Sequence, residues 1–271
     1  MSTITNHDLS GRRALVTGSS RGIGRSIAVT LGQLGCEVAV NFRKGVDEAQ
    51  SVVDEIRSYG SRAVLVQGDL SVAEEVAKVA SATLELLGDI DILIHNAGIA
   101  SKGLSVANTQ RTEVDRVLAV HAVAPHDLTS RLINSLRTHK RSDVIFISSA
   151  EVTAMHANGA PYNMGKMAME ALAYTLSREE SRNGMRVNIV APGLVITDMG
   201  DKLVEVLTGS KSDALDAQNL FPFQRACTPD DVARVVASLL SNSFSYVTGQ
   251  RIGVDGGVDD VNALFQSLDQ K

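Results

Sequence analysis

Cysteine is scarce in this sequence. The 271 residues include only Cys36 and Cys227, which lack the local spacing of a metal-binding or redox motif. Two cysteines also cannot form a disulfide framework for a chain of this size. The sequence therefore indicates no metal site, and it is typical of a protein from a reduced, intracellular environment.

Long apolar segments are also missing. No apolar run approaches the roughly 20 residues that are needed to span a bilayer. The N-terminal residues are polar and lack the charged start and apolar core of a signal peptide. We therefore expect a cytoplasmic protein that does not interact with membranes.

The charge pattern lacks a basic face. The formal net charge is −5, and lysines and arginines are scattered along the chain. A protein whose principal partner is nucleic acid usually carries a clustered basic surface. We therefore expect no nucleic-acid partner, and we interpret the local cluster at Lys140 and Arg141 as a solvated helix end.

The remaining composition is that of a globular protein. Apolar residues make up 44% and charged residues 21%, which allows a substantial core. Short β-rich runs alternate with segments of helical period, without an internal repeat, low-complexity tract or linker. This pattern predicts one α/β domain over residues 1–271, a doubly wound, parallel, seven-stranded Rossmann-like sheet with helices on both faces.

The expected elements follow from this alternation. Strands are expected at residues 13–17, 37–42, 63–68, 90–95, 143–148, 186–191 and 251–254. Helices are expected to begin near Gly22, Asp47, Val72, Thr112, Tyr162 and Pro229. The long irregular stretch at about 193–228 is interpreted as a substrate lid, because loops of that length in compact domains are usually functional. The tail at 259–271 has no assigned role.

A glycine-rich turn follows the first expected strand. It contains Gly18, Ser20, Arg21, Gly22, Ile23 and Gly24. The glycine spacing is G-x-x-x-G-x-G rather than the dinucleotide fingerprint G-x-G-x-x-G. Glycines let the backbone turn tightly and approach a pyrophosphate at a helix N-terminus. A glycine cluster alone could be a structural turn, but the strand before it and the helix after it favour a dinucleotide site.

A tyrosine and a lysine four residues apart point to proton transfer. In a helix this spacing places Tyr162 and Lys166 on one face. A nearby ammonium would stabilise the ionised phenol and bring its pKa, ordinarily about 10, closer to neutral pH. Ser149 lies upstream, at the end of an apolar strand. The pair could instead be a packed helix pair, and Ser149 could be an N-cap or turn residue.

With these motifs, residues from about 10 to 258 resemble the short-chain dehydrogenase/reductase family in its classical form. The further matching motifs are Gly68-Asp69-Leu70, Asn96-Ala97-Gly98, Pro192-Gly193 with Thr197, Val247-Thr-Gly-Gln250 and Asp255-Gly-Gly257. Several landmarks in the right order are far more specific than any one of them. The resemblance is to the branch that holds 3-oxoacyl-carrier-protein reductases and related carbonyl reductases.

The resemblance implies hydride transfer between a nicotinamide and a carbonyl or secondary alcohol. Negative charge that develops on the carbonyl oxygen must be stabilised and protonated. By the resemblance, Tyr162 would give or take the proton and Ser149 would hydrogen-bond the oxygen. Lys166 would lower the pKa of Tyr162 and bind the nicotinamide ribose.

The resemblance also implies a set of cofactor contacts. Asp69 would contact the adenine, Asn96 would stabilise the central sheet and line the cofactor cleft, and Thr197 would hold the nicotinamide carboxamide. The other implied contacts are Leu70, Ala97, Gly98, Pro192, Gly193 and Val195. Asp69 could instead cap the following helix. The Pro-Gly pair could be a simple turn, although its place at a carboxyl edge of the sheet favours the cofactor site.

The end of the second strand favours NADPH over NAD. An NAD enzyme commonly has an acidic residue there for the ribose 2′-hydroxyl, and this chain has none at the expected place. Arg43 follows the strand and Arg21 lies in the glycine turn, so two guanidinium groups could converge on a 2′-phosphate. Alternatively, Arg43 is a solvated loop charge and Arg21 covers the pyrophosphate.

His121 departs from the family pattern. The family commonly has an asparagine at this position, where it holds a water in the proton relay to the lysine. A histidine can hydrogen-bond a carbonyl or a water, so the relay could survive with a different pH dependence. The alternative is a tolerated helix histidine without a catalytic part. His95 and Gly165 are milder departures.

The leading hypothesis is an NADPH-dependent ketone or 3-oxoacyl reductase. A sugar, polyol or other alcohol dehydrogenase of the same family is one alternative, and an NADP(H)-binding sensor or partner-binding protein with little turnover is another. Apolar lid residues could wall a pocket, which favours a substrate other than a sugar, or could pack the lid onto the body. They are Leu203, Val204, Val206, Leu207, Leu220, Phe221 and Phe223. A homodimer or homotetramer is expected by resemblance.

Overall fold

Seven parallel strands form the centre of the computed structural model, which describes residues 8–201 and 221–258. The strands are β1 (Arg13–Val16), β2 (Glu37–Phe42), β3 (Ala63–Gln67), β4 (Ile92–His95), β5 (Ser142–Ile147), β6 (Met185–Pro192) and β7 (Arg251–Val254). Their order across the sheet is β3-β2-β1-β4-β5-β6-β7, and each neighbouring pair is parallel. The predicted α/β fold class and seven-stranded sheet are confirmed.

Helices connect these strands, close to the starts that the sequence predicts. They are α1 (Gly22–Gln33), α2 (Val46–Ser58), α3 (Ala73–Leu87), α4 (Arg111–Leu118), α5 (Ala124–Arg137), α6 (Glu151–Ala154), α7 (Ala160–Glu180) and α8 (Pro229–Leu240). A π-helical turn, Ala119–Val123, joins α4 to α5, and 3₁₀ turns occupy Val106–Asn108, Ser181–Asn183 and Asn242–Phe244. Pro229 opens α8 behind a capping box between Thr228 and Asp231.

Alternate side chains of the strands enter two apolar cores, one on each face of the sheet. Ile92 and Ile94 of β4 face the core that includes α1, α2 and α8, whereas Leu93 faces the core that includes α3, α5 and α7. Each fully buried aliphatic side chain contributes about 1.5–3 kcal/mol of burial free energy. Because both faces are covered, the strands are predominantly apolar, with polar residues such as Glu37, Asp143 and Arg186 mostly near their amino ends.

The strand order reverses between β1 and β4, so their carboxyl ends open a crevice. The glycine turn follows β1 and the Asn96 segment follows β4, which places both at this crevice. Most of the expected lid, residues 202–220, and the tail at 259–271 lie outside the described residues. The expectation of a single domain over the whole chain therefore stays a prediction.

Candidate active site

The glycine turn leads directly into α1. Arg21 is the N-cap in an extended conformation, and no side chain caps the helix. Gly18 and Gly22 have φ of 60° and 57°, a left-handed backbone that residues with a Cβ rarely adopt. The first amides of α1 are therefore available to an anion at the positive end of the helix dipole.

Gly24 allows the closest approach in this turn. A Cβ atom at Gly24 would collide with the carbonyl oxygen of Gly18 and the side-chain amide of Asn96. A Cβ at Gly18 would lie 3.0 Å from the Cα of Ala97. The backbone thus forms a cradle that side chains would fill, and this shape fits the pyrophosphate of a dinucleotide.

Two asparagines hold the cradle against the sheet. The Asn96 side chain donates hydrogen bonds to the carbonyls of Thr17 (2.9 Å) and Gly18 (3.1 Å), which ties the end of β4 to the end of β1. Buried Asn41 of β2 accepts a hydrogen bond from the Gly18 amide (3.1 Å) and donates one to Val66 O (3.1 Å). No pattern in the sequence indicates the role of Asn41, because that role depends on the packing of three strands, β1, β2 and β3.

The two arginines considered for a 2′-phosphate have different carboxylate partners. Arg21 pairs with Asp198 at 2.7 Å, and both side chains are well exposed. Arg43 pairs with Asp69 at 3.5 Å, beside the end of β2. Their convergence on one phosphate stays a prediction, and Arg43 is the better placed because it follows β2 directly.

Asp69 forms a local turn rather than a helix cap. Its carboxylate accepts hydrogen bonds from the backbone amide (2.9 Å) and hydroxyl (2.6 Å) of Ser71, and α3 has Val72 as an N-cap without a side-chain cap. Burial opposes ionisation, but the Ser71 hydrogen bonds and the Arg43 guanidinium outweigh it and hold the pKa of Asp69 below its ordinary value. The alternative reading as a helix cap is therefore wrong, while the adenine contact stays a prediction.

The segment after β6 lies at the same edge of the sheet. The Gly193 amide donates to Val254 O (3.1 Å), and Val195 forms an isolated parallel bridge with Cys227. Thr197 accepts a hydrogen bond from the Gly200 amide at 3.1 Å and lies 3.4 Å from a Cβ placed on Gly22. Thr197 is thus next to the glycine turn. The remaining expected contacts lie at the carboxyl ends of the strands: Ser20, Leu70, Ala97 and Gly98 in the segments that follow β1, β3 and β4, Ile23 at the start of α1, and Pro192 at the end of β6.

Ser149 and Tyr162 form a hydrogen-bonded pair. Ser149 follows the end of β5, and Tyr162 lies in the first turn of α7. Burial raises the pKa of Tyr162 to about 12, and the carboxylate of Glu151 adds to the rise, while the hydrogen bond with Ser149 opposes it. The Tyr162 hydroxyl therefore holds its proton at neutral pH in the chain without ligands.

Lys166 lies on the same face of α7 as Tyr162, but its ammonium bonds elsewhere. The Nζ atom donates to Ile147 O at 2.7 Å and is 5.8 Å from the centroid of the Tyr162 ring. Burial lowers the pKa of Lys166 to about 7, and Glu170 opposes this shift. The expectation that Lys166 lowers the pKa of Tyr162 is therefore not met in this structure, because burial affects both groups.

His121 lies in the π-helical turn, with its ring edge toward the Tyr162 ring at a centroid distance of 5.2 Å. Its Nε2 is 2.8 Å from Ile99 O and 3.1 Å from Ile99 N, so the ring holds the segment after β4. Burial and the Lys166 charge lower the pKa of His121 to about 3. The buried Nδ1 has no hydrogen-bond partner among the described residues.

Gly165 makes room for this histidine. A Cβ at Gly165 would lie 2.9 Å from the Cβ of His121, and one at Gly98 would lie 2.8 Å from its Cε1. The mild departure at Gly165 therefore has a packing reason. His95, in contrast, is part of the core, where it hydrogen-bonds Thr129 (2.8 Å) and stacks on the Phe146 ring.

The Glu151 carboxylate lies near Tyr162 and binds the segment that precedes α7. Glu151 accepts a hydrogen bond from the backbone amide of His156 (2.9 Å), and its other oxygen is 2.6 Å from His156 Nδ1.

A cavity of about 390 Å³ opens between the segment that precedes α7 and α7 itself, with Met155, Met164 and Met167 in its wall. All three methionines are substantially exposed. The sequence pattern placed a possible apolar pocket wall in the lid instead, so these methionines were not among the predicted residues.

Two further polar residues reach the end of β5. Glu170, on α7, and Arg251, on β7, contact each other and the Ser148–Ser149 segment. Neither was among the residues predicted from the sequence, since 81 positions separate them along the chain. Of the apolar lid residues, Phe221 is buried and Phe223 is exposed, while Leu203, Val204, Val206, Leu207 and Leu220 lie outside the described residues.

The described residues contain neither a membrane-spanning helix nor a metal-binding cluster. No helix in residues 8–201 and 221–258 is long and apolar enough to cross a membrane. Within the same ranges, no group of three or more His, Cys, Asp or Glu side chains is placed to hold a metal ion.

The fold and the site define a dinucleotide-dependent oxidoreductase. The family model described as enoyl-(acyl carrier protein) reductase matches residues 18–259. The chain therefore belongs to the short-chain dehydrogenase/reductase family, as its motifs predict, and is an oxidoreductase that acts on carbonyl and alcohol groups.

Known relatives cover nearly the whole chain. Versicolorin reductase stcU from Emericella nidulans is 36% identical over 264 residues, 95% of this chain and 99% of the relative. The 3-oxoacyl-[acyl-carrier-protein] reductase FabG from Staphylococcus epidermidis is 32% identical, over 91% of this chain and 98% of its own. The crystal structure of the angucycline C-6 ketoreductase LanV with bound NADP has a TM-score of 0.82 at 32% identity, over 92% and 96% of the two chains.

Proposed function

We propose that this oxidoreductase uses NADPH to reduce the carbonyl group of an apolar ketone, with Tyr162 as the proton donor. The observation that carries the proposal is the Tyr162 hydroxyl, which keeps its proton and is hydrogen-bonded to Ser149 at the carboxyl edge of the sheet. When bound, NADPH supplies the hydride. The relatives include a FabG reductase, a versicolorin reductase and a ketoreductase with NADP bound.

The protein residues then have separate tasks. Ser149 hydrogen-bonds the carbonyl oxygen, and Tyr162 transfers its proton to that oxygen as negative charge develops. Lys166 holds the nicotinamide ribose and returns a proton toward Tyr162. His121 takes the relay position in this path, because its buried Nδ1 has no hydrogen-bond partner in residues 8–201 and 221–258.

The cofactor proposal is based on the cradle and its flanking charges. The open amides at the start of α1 and the glycine cradle suit a pyrophosphate. Arg43, which follows β2 without an acidic residue at the ribose position, suits a 2′-phosphate. NADPH is therefore preferred to NADH.

The substrate proposal is based on the methionine-walled cavity. Flexible, polarisable thioethers pack well against apolar and aromatic surfaces. A sugar would need many directed hydrogen bonds; His156, Asn158 and Asn163 also line the cavity, but the three methionines that form its apolar wall do not offer them. An apolar aryl ketone fits this wall better than a polyol.

The test measures the initial rate of NADPH oxidation with an aryl ketone, a diketone, a 3-oxoacyl thioester and a keto-sugar, each repeated with NADH. We expect turnover with NADPH well above NADH, with the aryl ketone or diketone preferred. Preference for the thioester would move the substrate to the acyl-carrier class. NADPH binding without turnover of any compound would overturn the reductase proposal in favour of the sensor hypothesis.

Three predictions, on the assembly, the location and the partners of the protein, stay predictions that can be measured directly. They are a homodimer or homotetramer, a cytoplasmic location, and the absence of nucleic-acid and membrane partners. Light scattering of the full chain at several concentrations measures the first of these.

A further inference from the structure

The end of β5, which leads into Ser149, is held by polar groups from two other elements. We infer that Arg251 and Glu170 are positioning residues that fix Ser149 and Lys166 for the reaction. This inference depends on the proposed function, because it assigns these two residues a task in that site.

The first two attachments come from α7. Lys166 Nζ donates to the carbonyl oxygen of Ile147 at 2.7 Å. One helical turn further along, Glu170 accepts a hydrogen bond from the Ser148 hydroxyl at 2.5 Å. Consecutive residues of β5 and its exit are thus tied to consecutive turns of one helix, which fixes the distance between the helix and the strand end.

The third attachment comes from β7. Arg251 Nη2 donates to the carbonyl oxygen of Ser149 itself, at 2.9 Å. Its Nε donates to Glu170 Oε1 at 3.0 Å, so the same carboxylate oxygen serves both Arg251 and Ser148. Because this bond holds the backbone of Ser149, it restricts the orientation of the serine hydroxyl without touching the substrate.

Burial makes these contacts sensitive to change. The Glu170 side chain is 8% exposed and the Arg251 side chain 24%. A buried carboxylate that loses its partner must be desolvated without compensation. The arginine also cannot be replaced by lysine without loss, because one guanidinium bonds two acceptors in a planar arrangement.

Glu170 also acts on the charge of Lys166. Burial favours the neutral amine of Lys166, and the Glu170 carboxylate opposes it by favouring the charged ammonium. The Lys166 charge in turn lowers the pKa of the His121 ring. The Tyr162 phenol lies on the same helix, and Arg251 faces Glu170 from β7. Loss of the Glu170 charge should therefore favour neutral Lys166 and move the alkaline limb of the pH–rate profile to lower pH.

The same helix provides a matched control. Near the end of α7, the buried carboxylate of Glu180 accepts two hydrogen bonds from Arg137, at 2.9 and 2.5 Å. This pair resembles Glu170–Arg251 in chemistry and in burial of the carboxylate, but it lies at the far end of the helix from Ser149. Removal of the Arg137 guanidinium should affect stability without affecting the reaction.

The experiment compares Arg251→Met, Arg251→Lys, Glu170→Gln and Arg137→Met in the full chain. We expect Arg251→Met to lower kcat about 10- to 100-fold with little change in the dissociation constant of NADPH, since misplacement of about 1 Å at a catalytic group has this scale of effect. Arg251→Lys should recover part of the loss. Glu170→Gln, which can still accept from Ser148, should shift the alkaline limb to lower pH.

The outcomes separate this inference from the proposed function. If the wild-type protein turns over no ketone, the proposed function fails. If wild type is active and the Arg251 and Glu170 variants lose stability but keep kcat and the pH profile, as expected for Arg137→Met, the positioning roles are overturned. If Arg251→Met does not fold, Arg251→Lys and Glu170→Gln decide the question by the same two measurements.

Discussion

The two ends of the sheet differ in how their buried ionisable groups are paired. At the amino ends of the strands, Asp143 pairs with Arg12 (2.8 Å) and Arg186 (2.5 Å), and Arg12 also pairs with Asp91 (2.5 Å). At the carboxyl ends, Glu170 and Arg251 also form a pair with a buried carboxylate, but Tyr162, Lys166 and His121 have no opposite charge in direct contact among the described residues.

The difference indicates a different role for each end of the sheet. Paired charges at the amino ends compensate one another, so they hold strands together without reacting. At the carboxyl ends, burial without pairing raises the pKa of Tyr162 to about 12 and lowers those of Lys166 and His121 to about 7 and about 3. The pKa of Lys166 therefore lies near neutral pH, where a group can exchange protons, whereas Tyr162 keeps its proton and His121 stays neutral.

The sharpest test of this comparison removes one hydroxyl at the carboxyl end. Tyr162→Phe should lower kcat by about 10²–10⁴-fold, the usual contribution of a general acid. NADPH affinity and the melting temperature should change little, because the ring remains. The measurements are steady-state kinetics and an NADPH titration.

Tyr174→Phe, on the same helix, is the control and should keep its activity. A Tyr162→Phe variant with wild-type kcat would show that another group donates the proton.

A substitution in the glycine cradle should weaken NADPH binding rather than slow the chemical step. Gly24→Ala places a Cβ against the Gly18 carbonyl and the Asn96 amide. We expect the dissociation constant of NADPH to rise about 100-fold, because the backbone can no longer hold the pyrophosphate closely. Isothermal titration calorimetry measures this constant.

Gly60→Ala controls for backbone strain, since φ there is +86° and no atom lies near its Cβ. It should cost about 1–3 kcal/mol of stability and leave NADPH affinity unchanged. Equal affinity losses in both variants would contradict the cradle.

At the amino end, the same kind of substitution should affect stability alone. Asp143→Asn leaves the charges of Arg12 and Arg186 without their shared partner. We expect the free energy of unfolding to fall by about 3–5 kcal/mol, while kcat of the folded protein stays near wild type. Urea denaturation and kinetics below the transition measure both quantities.

Asp127→Asn, in an exposed pair with Arg131, is the control and should cost less than about 1 kcal/mol. A large loss of kcat in Asp143→Asn, with stability kept, would remove the contrast between the two ends.

The smallest expected effect comes from the carboxylate next to Tyr162. Glu151 raises the pKa of Tyr162, so Glu151→Gln should lower it. A lower phenol pKa means that Tyr162 loses its proton at lower pH, and the alkaline limb of ketone reduction should move in that direction by less than about one pH unit. The pH–rate profile at saturating NADPH measures the shift.

Glu179→Gln, an exposed carboxylate on α7, should leave the profile in place. A shift to higher pH in Glu151→Gln would contradict this account.

Short-range patterns predicted much of the fold and part of the site. The alternation of β-rich and helical segments predicted the seven strands, and the four-residue spacing predicted that Tyr162 and Lys166 share a helix face. The glycine spacing and the element on either side of it placed the cradle. These features depend on residues a few positions apart, for which backbone geometry is known in advance.

The sequence patterns did not predict the long-range contacts of the site. Arg251 and Glu170 are 81 residues apart, and Arg251 reaches Ser149 across 102 positions. The methionine wall arises where the segment before α7 folds back on that helix. No local sequence pattern predicts such contacts, because they form only when β5, β7 and α7 are packed together.

The sequence by itself determined the order of strands and helices, the cradle and the spacing of the reactive residues. Only the tertiary structure decided the protonation of those residues. Spacing alone suggested that Lys166 would lower the pKa of Tyr162. In the structure, burial raises the pKa of Tyr162 and lowers the pKa of Lys166. Solvation and distant charges set a pKa, and both depend on what the whole fold places around a side chain.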